Sequence, residues 1–258
     1  MKYIIALLIC GISLKTVAQK DDLPPKLISF EKDLRAEMLD LTNWGQDEKL
    51  YQLSDSEAKE PSVIINEFVA NYIELPVISA TQTLVYSYNM VYKRVHLNED
   101  KAVEGYNKIY IPVKSKSSLV DLRARSFSAS GKMSKEFNES DMKTIEEKGS
   151  TYLILALEGA EKGGEIEYYF IVRKSVSEYS DVTIQGANFI RNYKYTMRVP
   201  KQIDYQFKAY NGCPDMVSET LGDYNIYSLN IKNVTELNKE SMQYYNAELM
   251  RFEYILAY

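Results

Sequence analysis

The chain has 258 residues, a formal net charge of −5 and charged side chains at 26% of its positions. An acidic chain without a cluster of Lys and Arg has no electrostatic attraction for a phosphate backbone, which excludes nucleic acid as a partner. One histidine and two cysteines are too few to build the usual Cys/His zinc site.

Residues 1–18 predict a signal peptide. The basic start Met1-Lys2 precedes an apolar run over 3–14, and Thr16 and Ala18 are the small residues expected before a cleavage site. The run is shorter than the roughly 20 residues that a membrane-spanning helix needs. We therefore expect export to the periplasm or cell envelope, with no membrane span after signal cleavage. The alternative is a buried N-terminal helix or strand.

The cysteines predict no intrachain disulfide. Cleavage after Ala18 removes Cys10 and leaves Cys213 alone. Lipidation at Cys10 is the less favoured alternative, because Ile9 stands where a small residue would be expected. Cys213 lies in the turn-like sequence Asn211–Pro214 and is interpreted as a structural or tolerated thiol, with a reactive or intermolecular thiol as the alternative.

Residues 19–27 predict a linker, because Pro24-Pro25 cannot continue a helix. Residues 28–258 then predict one elongated domain, long enough to bury roughly 70% of its unfolded surface. A short amphipathic helix is predicted over Phe30–Leu41, where apolar residues repeat at helical spacing between charged ones.

From residue 62 onwards the chain has the composition of β structure. The predicted strands share an enrichment in β-branched and aromatic residues. They are Ser62–Glu74, Thr81–Leu97, Asn107–Val113, Ser118–Phe127, Thr183–Arg191, Tyr193–Val199, Tyr205–Tyr210, Tyr224–Lys232 and Glu248–Tyr258. Ser130–Lys132 predicts a hairpin turn, and the highly charged Lys135–Lys148 predicts a loop or frayed helix. Turn signals roughly every 8–12 residues favour a mainly antiparallel β-sandwich.

The segment 151–177 is predicted to form a buried central hairpin. Its first arm, Tyr152–Leu157, is apolar at nearly every position, and Glu158–Gly164 supplies three glycines for the reversal. The second arm alternates. Its inward face is Ile166, Tyr168, Phe170 and Val172, and its other, mostly polar face is Glu165, Glu167, Tyr169, Ile171 and Arg173.

The 22 tyrosines allow two interpretations. Exposed rings can form a stacking platform for sugars or a surface for a partner. Strand tyrosines more often bury the ring and leave the hydroxyl at the rim, and this structural interpretation is favoured.

A Cys–His mechanism would have to combine Cys213 with His96. His96 stands where an alternating strand ends and is interpreted as a surface histidine. Residues 215–222 show only weak helical periodicity, so a helix N-terminus that would activate the thiol is not indicated. No Gly-x-Ser-x-Gly motif occurs for a serine nucleophile.

Glu165 and Glu167 lie two residues apart on one predicted strand face, which permits a glycosidase-like pair. With 36 acidic residues such pairs arise by chance, and this one is interpreted so. Asn98–Asp100 does not match a calcium loop, and the glycines of 159–164 lack the Lys-Ser/Thr of a phosphate-binding loop. We therefore assign no catalytic, metal-binding or cofactor-binding residue and expect no cofactor; the ligand-binding residues remain unassigned.

Several stretches together carry a family resemblance. They are Ala58–Ile65, Gly105–Pro112, Ala124–Phe127 with Gly131-Lys132, Gly163–Tyr168 and the strand ending at Val199-Pro200. Over residues 28–258 the chain resembles the β-domain of unknown function that precedes transglutaminase-like domains in exported Bacteroidetes-type proteins. The resemblance implies a β-sandwich module in the cell envelope.

The enzymatic members of that family carry their Cys, His and Asp in a downstream papain-like domain, which this sequence lacks. There the nucleophile precedes the histidine, whereas His96 precedes Cys213 here, so no catalytic residue is transferred. Because it ends on the strand-like run Met250–Tyr258, the chain resembles the upstream part of a longer architecture. The sequence thus predicts a non-catalytic module that docks onto or supports a transglutaminase-like or other envelope protein. A glycan- or peptide-binding module that uses exposed tyrosines is the alternative.

Overall fold

The computed structural model describes residues 23–46, 49–113, 116–147, 150–237 and 245–257. The predicted signal peptide lies outside the described residues. The described chain is mainly β, with a large sheet and a short N-terminal helix, which confirms the predicted fold class.

An eight-stranded sheet forms the main layer. In order across the sheet its strands are β14 (Val217–Leu221), β15 (Tyr224–Val234), β12 (Phe189–Pro200), β1 (Ser62–Glu74), β4 (Tyr86–Leu97), β10 (Glu165–Lys174), β6 (Leu119–Phe127) and β7 (Met133–Asn138). β1 runs parallel to β12, and the other neighbouring strands run antiparallel.

Two three-stranded sheets pack on one face of this layer. One contains β5 (Lys108–Pro112), β9 (Ser150–Ala156) and β8 (Lys143–Glu147), and the other contains β11 (Tyr179–Thr183), β16 (Arg251–Leu256) and β13 (Tyr205–Tyr210). β2 (Val77–Ser79) and β3 (Gln82–Thr83) form a separate ribbon. One apolar core joins these sheets to the large one. In this core the ring centroids of Tyr195 and Phe252 are 4.8 Å apart.

The opposite face of the large sheet is partly covered by an N-terminal segment. This segment, here called the N-terminal cover, consists of residues 25–46 and 49–59. Its main element is α1 (Pro25–Leu39), whose residues Leu34 and Met38 are buried in a second apolar cluster on the sheet. The other helices are α2 (Asp100–Tyr106) and α3 (Tyr245–Glu248).

The predicted helix over Phe30–Leu41 is present as α1, but it begins five residues earlier. Pro25 occupies the first turn, where a backbone N–H has no intrahelical partner and proline is tolerated. The two prolines therefore begin the helix where the sequence predicted a linker.

The predicted central hairpin is wrong. β9 pairs with β5 and β8 in a small sheet, whereas β10 pairs with β4 and β6 in the large sheet. The connecting glycines carry the chain between layers. A Cβ atom at Gly164 would lie 2.2 Å from the carbonyl oxygen of Phe127, so this close approach of two backbones requires glycine.

Further segments differ from their predictions. Thr183–Arg191, predicted as one strand, contains the last residue of β11 and the beginning of β12, with residues 184–188 outside any strand. Lys135–Lys148, predicted as a loop or frayed helix, contributes most of β7 and all of β8. β14 was not predicted, because its five residues are all exposed and carry no buried alternation. β7 and β14 are the two edges of the large sheet, where charged and polar side chains mask the usual strand pattern.

Candidate functional site

Six ionisable side chains are buried together between the large sheet and the N-terminal cover. This ionic cluster consists of Tyr92, Arg94 and His96 on β4, Arg125 on β6, and Glu165 and Glu167 on β10. Strand register brings them together, because Glu165 pairs with His96 and Glu167 lies between Arg94 and Arg125. Residues two apart on a strand share a face, so both carboxylates point to the same side of the sheet.

Glu165 is completely buried and is held by three groups of the chain. Its Oε2 accepts hydrogen bonds from Nε and Nη2 of Arg94, at 2.7 and 2.6 Å. Its Oε1 lies 2.6 Å from the backbone nitrogen of Tyr51 and 3.1 Å from Nδ1 of His96. The carboxylate thus links β4 to the N-terminal cover.

Glu167 is also completely buried and has a parallel arrangement. Nε and Nη2 of Arg125 lie 2.5 Å from its Oε2, and the hydroxyl of Tyr92 donates to its Oε1 at 2.6 Å. Burial raises the pKa of Glu167, although Tyr92 and Arg125 favour the charged form. Burial and the neighbouring Glu167 raise the pKa of Tyr92, so its hydroxyl remains a donor.

The cover closes over the cluster through aromatic and backbone contacts. Trp44 packs edge-on against Tyr169 with ring centroids 5.0 Å apart, and the guanidinium of Arg125 lies 5.0 Å from the Trp44 ring. Nη2 of Arg94 donates to the backbone carbonyl of Lys49 at 2.6 Å. The cluster therefore fixes the positions of Trp44, Lys49 and Tyr51 on the sheet.

The polar face of β10 continues this pattern towards α1. The Tyr169 hydroxyl donates to Asp121 at 2.6 Å, and Asp121 forms a salt bridge of 3.0 Å with Arg35 on α1. Arg173 forms a buried ion pair with Glu31, also on α1. The face that alternation marked as polar is thus the face that binds the cover.

A third attachment lies at the rim of the cover, in the short 3-10 turn Glu57–Lys59. Burial raises the pKa of Glu57, but hydrogen bonds from Ser54 and from Arg191 outweigh it and lower the pKa to about 2. The ion pair with Arg191 of β12 has a length of 2.8 Å.

The interpretation of His96 as a surface histidine is wrong. Only 7% of the residue is exposed, and Nδ1 contacts the buried Glu165. Strand β4 continues beneath the cover, so the end of the alternating pattern did not mark the protein surface.

The structure does not bring Cys213 and His96 together. Cys213 packs against the core on the opposite face of the large sheet, whereas His96 faces the cover. Burial and the neighbouring Asp215 raise the pKa of the Cys213 thiol to about 11. A raised pKa leaves little thiolate at neutral pH, the reverse of an activated nucleophile.

Glu165 and Glu167 form an internal ion network. Their carboxylates have no exposed surface, and each accepts paired hydrogen bonds from an arginine. Sequence reasoning noticed both glutamates but missed Arg94 and Arg125. The available signal was the presence of arginine inside strands that are otherwise aromatic or apolar, where a charge must find a partner.

Exposed tyrosines are few in the part of the chain whose side chains are described. Tyr110 on β5 and Tyr179 on β11 are each 52% exposed, and they lie on different small sheets. The described residues contain no group of three or more His, Cys, Asp or Glu side chains that could hold a metal ion. They also contain no helix that is long and apolar enough to cross a membrane.

A known structure shares this fold. A putative protease from Parabacteroides distasonis ATCC 8503 superposes over 77% of this chain with a TM-score of 0.61 and 12% identity. This chain spans 40% of the length of that protein. An M1 zinc metallopeptidase from Deinococcus radiodurans matches over 80% of this chain and 44% of its own, with a TM-score of 0.36 and 7% identity. The first likeness shows the fold alone, and the second is too weak to support an argument.

No curated protein matches the chain. A family model does match, over residues 87–237, from the middle of the large sheet to the end of β15 and beyond. This match covers more than half of the chain and confirms the predicted resemblance to a β-domain of unknown function. The chain belongs to the family described as Domain of Unknown Function with solved-structure structure (DUF3857).

Proposed function

We propose that this chain is a non-catalytic, exported module that docks onto or supports a transglutaminase-like or other cell-envelope protein. The observation that carries the proposal is the fraction of the Parabacteroides protein that has the shared fold. The fold shared with this chain accounts for 40% of that protein and is joined there to further sequence. A fold that is joined to further sequence in one protein is suited to support a separate protein in another.

The ionic cluster supports the non-catalytic part of the proposal. A general acid or base must reach its substrate directly or through one water. The carboxylates of Glu165 and Glu167 are instead enclosed by Arg94, Arg125 and the N-terminal cover. The raised pKa of the Cys213 thiol argues in the same direction.

Cross-linking in the source bacterium tests the docking function. The tagged chain, with its own signal sequence, is cross-linked in intact cells, and the products are identified by mass spectrometry. We expect one envelope protein to be enriched. When that protein carries the tag instead, its cross-linked products should contain this chain. A tagged exported protein of similar size and charge serves as the control. Absence of a reciprocal partner, or hydrolysis or transamidation of peptide substrates by the purified chain, would contradict the proposal.

Export is tested in the same cells. We expect the mature chain in the envelope fraction, with an N-terminus at Gln19 after cleavage behind Ala18. A cytosolic chain that retains residues 1–18 would contradict the exported location.

The second candidate is a glycan- or peptide-binding module that uses exposed tyrosines. Tyr110 and Tyr179 are the rings available to it in the described chain. Their positions on separate small sheets do not provide the row of rings that a stacking platform needs. Binding of cell-wall glycans that is lost in Tyr110→Ala or Tyr179→Ala would favour this candidate over docking.

A further inference from the structure

Strand β14 is an edge of the large sheet that no other strand in the described ranges covers, and it carries exposed apolar side chains. All five of its residues are exposed, with Val217 at 67% and Leu221 at 66%. Among the strands of the described residues it pairs with β15 alone, and the pairing continues in register along the whole strand. An edge of this kind presents unpaired backbone N–H and C=O groups to any chain that approaches in an extended conformation.

The opposite edge of the same sheet, β7, is protected by the means that natural sheets use. A register shift interrupts its pairing with β6 at Phe127. Lys135 reaches across to Glu158 at 2.8 Å, and Glu136 pairs with Arg123 at 3.5 Å. Bulges and charged side chains such as lysine prevent edge-to-edge pairing. β14 has neither a register shift nor a lysine.

The hairpin turn determines which backbone groups of β14 face outwards. β14 and β15 are joined by the two residues Gly222 and Asp223, and Gly222 has a φ of 60°. In a two-residue hairpin the flanking residues, here Leu221 and Tyr224, form a hydrogen-bonded pair. Alternation then directs the N–H and C=O groups of Ser218 and Thr220 away from β15.

The side chains of β14 form two rows. Val217, Glu219 and Leu221 share one face of the sheet, and Ser218 and Thr220 share the other. Glu219 forms no salt bridge with any residue of the described ranges, whereas Asp223 nearby is paired with Lys201 at 2.7 Å. The first row therefore offers an apolar, an acidic and an apolar position to a neighbouring strand.

Two clefts border the strand at Ser218. One, of about 260 Å³, opens between β13 and β14, and its lining combines apolar and aromatic side chains with exposed polar surface. That apolar part of the lining comprises Tyr205, Phe207, Ala209, Pro214, Met216, Tyr227 and Phe252. The other, of about 440 Å³, is polar, and its lining includes Lys201, Asp204, Thr220 and Glu219. Ser218 lies at the rim of both clefts.

We infer that β14 binds an extended peptide segment of a partner protein by β-strand addition, and that the segment carries a Lys or Arg between apolar residues. Cross-strand neighbours on one face interact directly, so a basic residue lies opposite Glu219 and apolar residues lie opposite Val217 and Leu221. An apolar residue opposite Ser218 enters the cleft between β13 and β14. Main-chain hydrogen bonds supply affinity in this binding mode, and the alternate side chains supply specificity. The inference specifies how the proposed docking occurs, and it rests on the proposed function because the segment belongs to the docking partner.

Fluorescence anisotropy with synthetic peptides tests the inference on the complete mature chain. Labelled peptides with the central sequence Val-Thr-Lys-Leu-Val, and its reverse, match β14 in the antiparallel and parallel orientations. We expect one of them to bind saturably, and a version with Glu in place of Lys to bind about tenfold more weakly.

Variants of the edge then identify the site. Glu219→Lys is expected to weaken the Lys peptide about tenfold and to strengthen the Glu peptide, a reversal that a merely structural effect would not produce. Ser218→Pro removes an outward N–H without removing a bond to β15, and proline is tolerated at such edge positions. It is expected to abolish binding, with an unchanged circular dichroism spectrum. Glu136→Lys on β7 is the matched control and is expected to leave binding unchanged.

Absence of saturable binding by either peptide would overturn the inference, as would binding that Glu219→Lys and Ser218→Pro leave unchanged. Self-association of the chain through β14, detected as a dimer that Ser218→Pro abolishes and the peptide does not displace, would also overturn it. The docking function has its own readout, the reciprocal cross-link. A cross-link that persists in Ser218→Pro would show docking through another surface, so the two failures are distinguishable.

Discussion

The ionic cluster and the β14 edge belong to one sheet and are separated by β15, β12 and β1. In the cluster the acidic side chains are buried, and each has a basic partner within the chain. At the edge, Glu219 is exposed and has no salt-bridge partner among the described residues. Charged side chains on strands of one sheet therefore have two different roles. The buried charges specify how the chain covers its own sheet, and the exposed charge is available to another chain.

The buried pairs hold the cover in place without being a large source of stability. Removing two charges from water costs several kcal/mol for each ion, and their attraction returns about that amount only when the geometry is good. Breaking one pair is different, because the remaining ion keeps the cost of its burial and loses a compensating charge. We therefore expect the cluster to favour the observed path of the cover, because a shifted path would separate buried ions from their partners.

The largest effect is expected from Glu165→Gln. The variant removes the carboxylate that accepts two hydrogen bonds from the guanidinium of Arg94, which is 4% exposed. We expect a loss of about 3–5 kcal/mol in the free energy of unfolding, measured by urea denaturation of the mature chain. The double variant Glu165→Leu with Arg94→Met removes both charges and is expected to be more stable than Glu165→Gln. A loss below about 0.5 kcal/mol for the single variant would contradict the role given to the cluster.

Glu219→Gln on β14 is the matched control for this comparison. The change is chemically identical, but Glu219 is exposed and unpaired within the described chain. We expect the free energy of unfolding to change by less than about 0.5 kcal/mol. A larger change would show that the edge charge also stabilises the fold.

An intermediate effect is expected from Glu57→Gln, at the rim of the cover. Loss of the charged hydrogen bonds from Ser54 and Arg191 is expected to cost about 1–2 kcal/mol at pH 7.

The pH dependence of this difference has a definite sign. The pKa of Glu57 is lower in the folded chain, about 2, than its ordinary value of 4.5. The carboxylate therefore contributes its stabilisation above pH 4.5 and loses it as the pH falls through about 2. Urea denaturation at several pH values should show the difference between wild type and Glu57→Gln shrinking over this range. A difference that grows on acidification would contradict the assignment.

At Cys213 we expect ordinary thiol reactivity and no influence of His96. With its pKa raised to about 11, the thiol should react slowly with iodoacetamide at pH 6–8, at a rate that increases with pH. His96→Gln is expected to leave this rate unchanged, because the two residues face opposite sides of the sheet. The same variant removes a contact to Glu165 and is expected to cost about 1 kcal/mol in stability. Fast labelling at pH 6 that depends on His96 would indicate an activated nucleophile.

Much of the fold follows from local sequence, because strand periodicity is local. β1 and β13 have the bounds predicted for them, and β4 and β6 differ by a few residues. Pairing is not local. Tyr152–Leu157 and the segment after Gly164 look like a hairpin in sequence, but their hydrogen-bonding partners lie elsewhere in the chain.

The candidate site was harder to predict for the same reason. Alternation correctly placed Glu165 and Glu167 on one polar face of β10. Whether that face meets water depends on Trp44 and Tyr51, more than 100 residues earlier in the chain. β14 was missed because an exposed edge strand carries no apolar alternation, which is the signal that sequence reasoning uses.

The central claim is that the buried charges attach the cover to the sheet and that the β14 edge binds a partner. Amide hydrogen exchange, measured with and without the Lys peptide, tests this claim most directly. The account predicts slower exchange at Ser218 and Thr220 when the peptide is bound. The amide of Tyr51, which donates to Glu165, should exchange slowly in both states. Protection that appears at Tyr51 and the cover while the β14 amides remain unchanged would place the binding site at the ionic cluster and contradict the account.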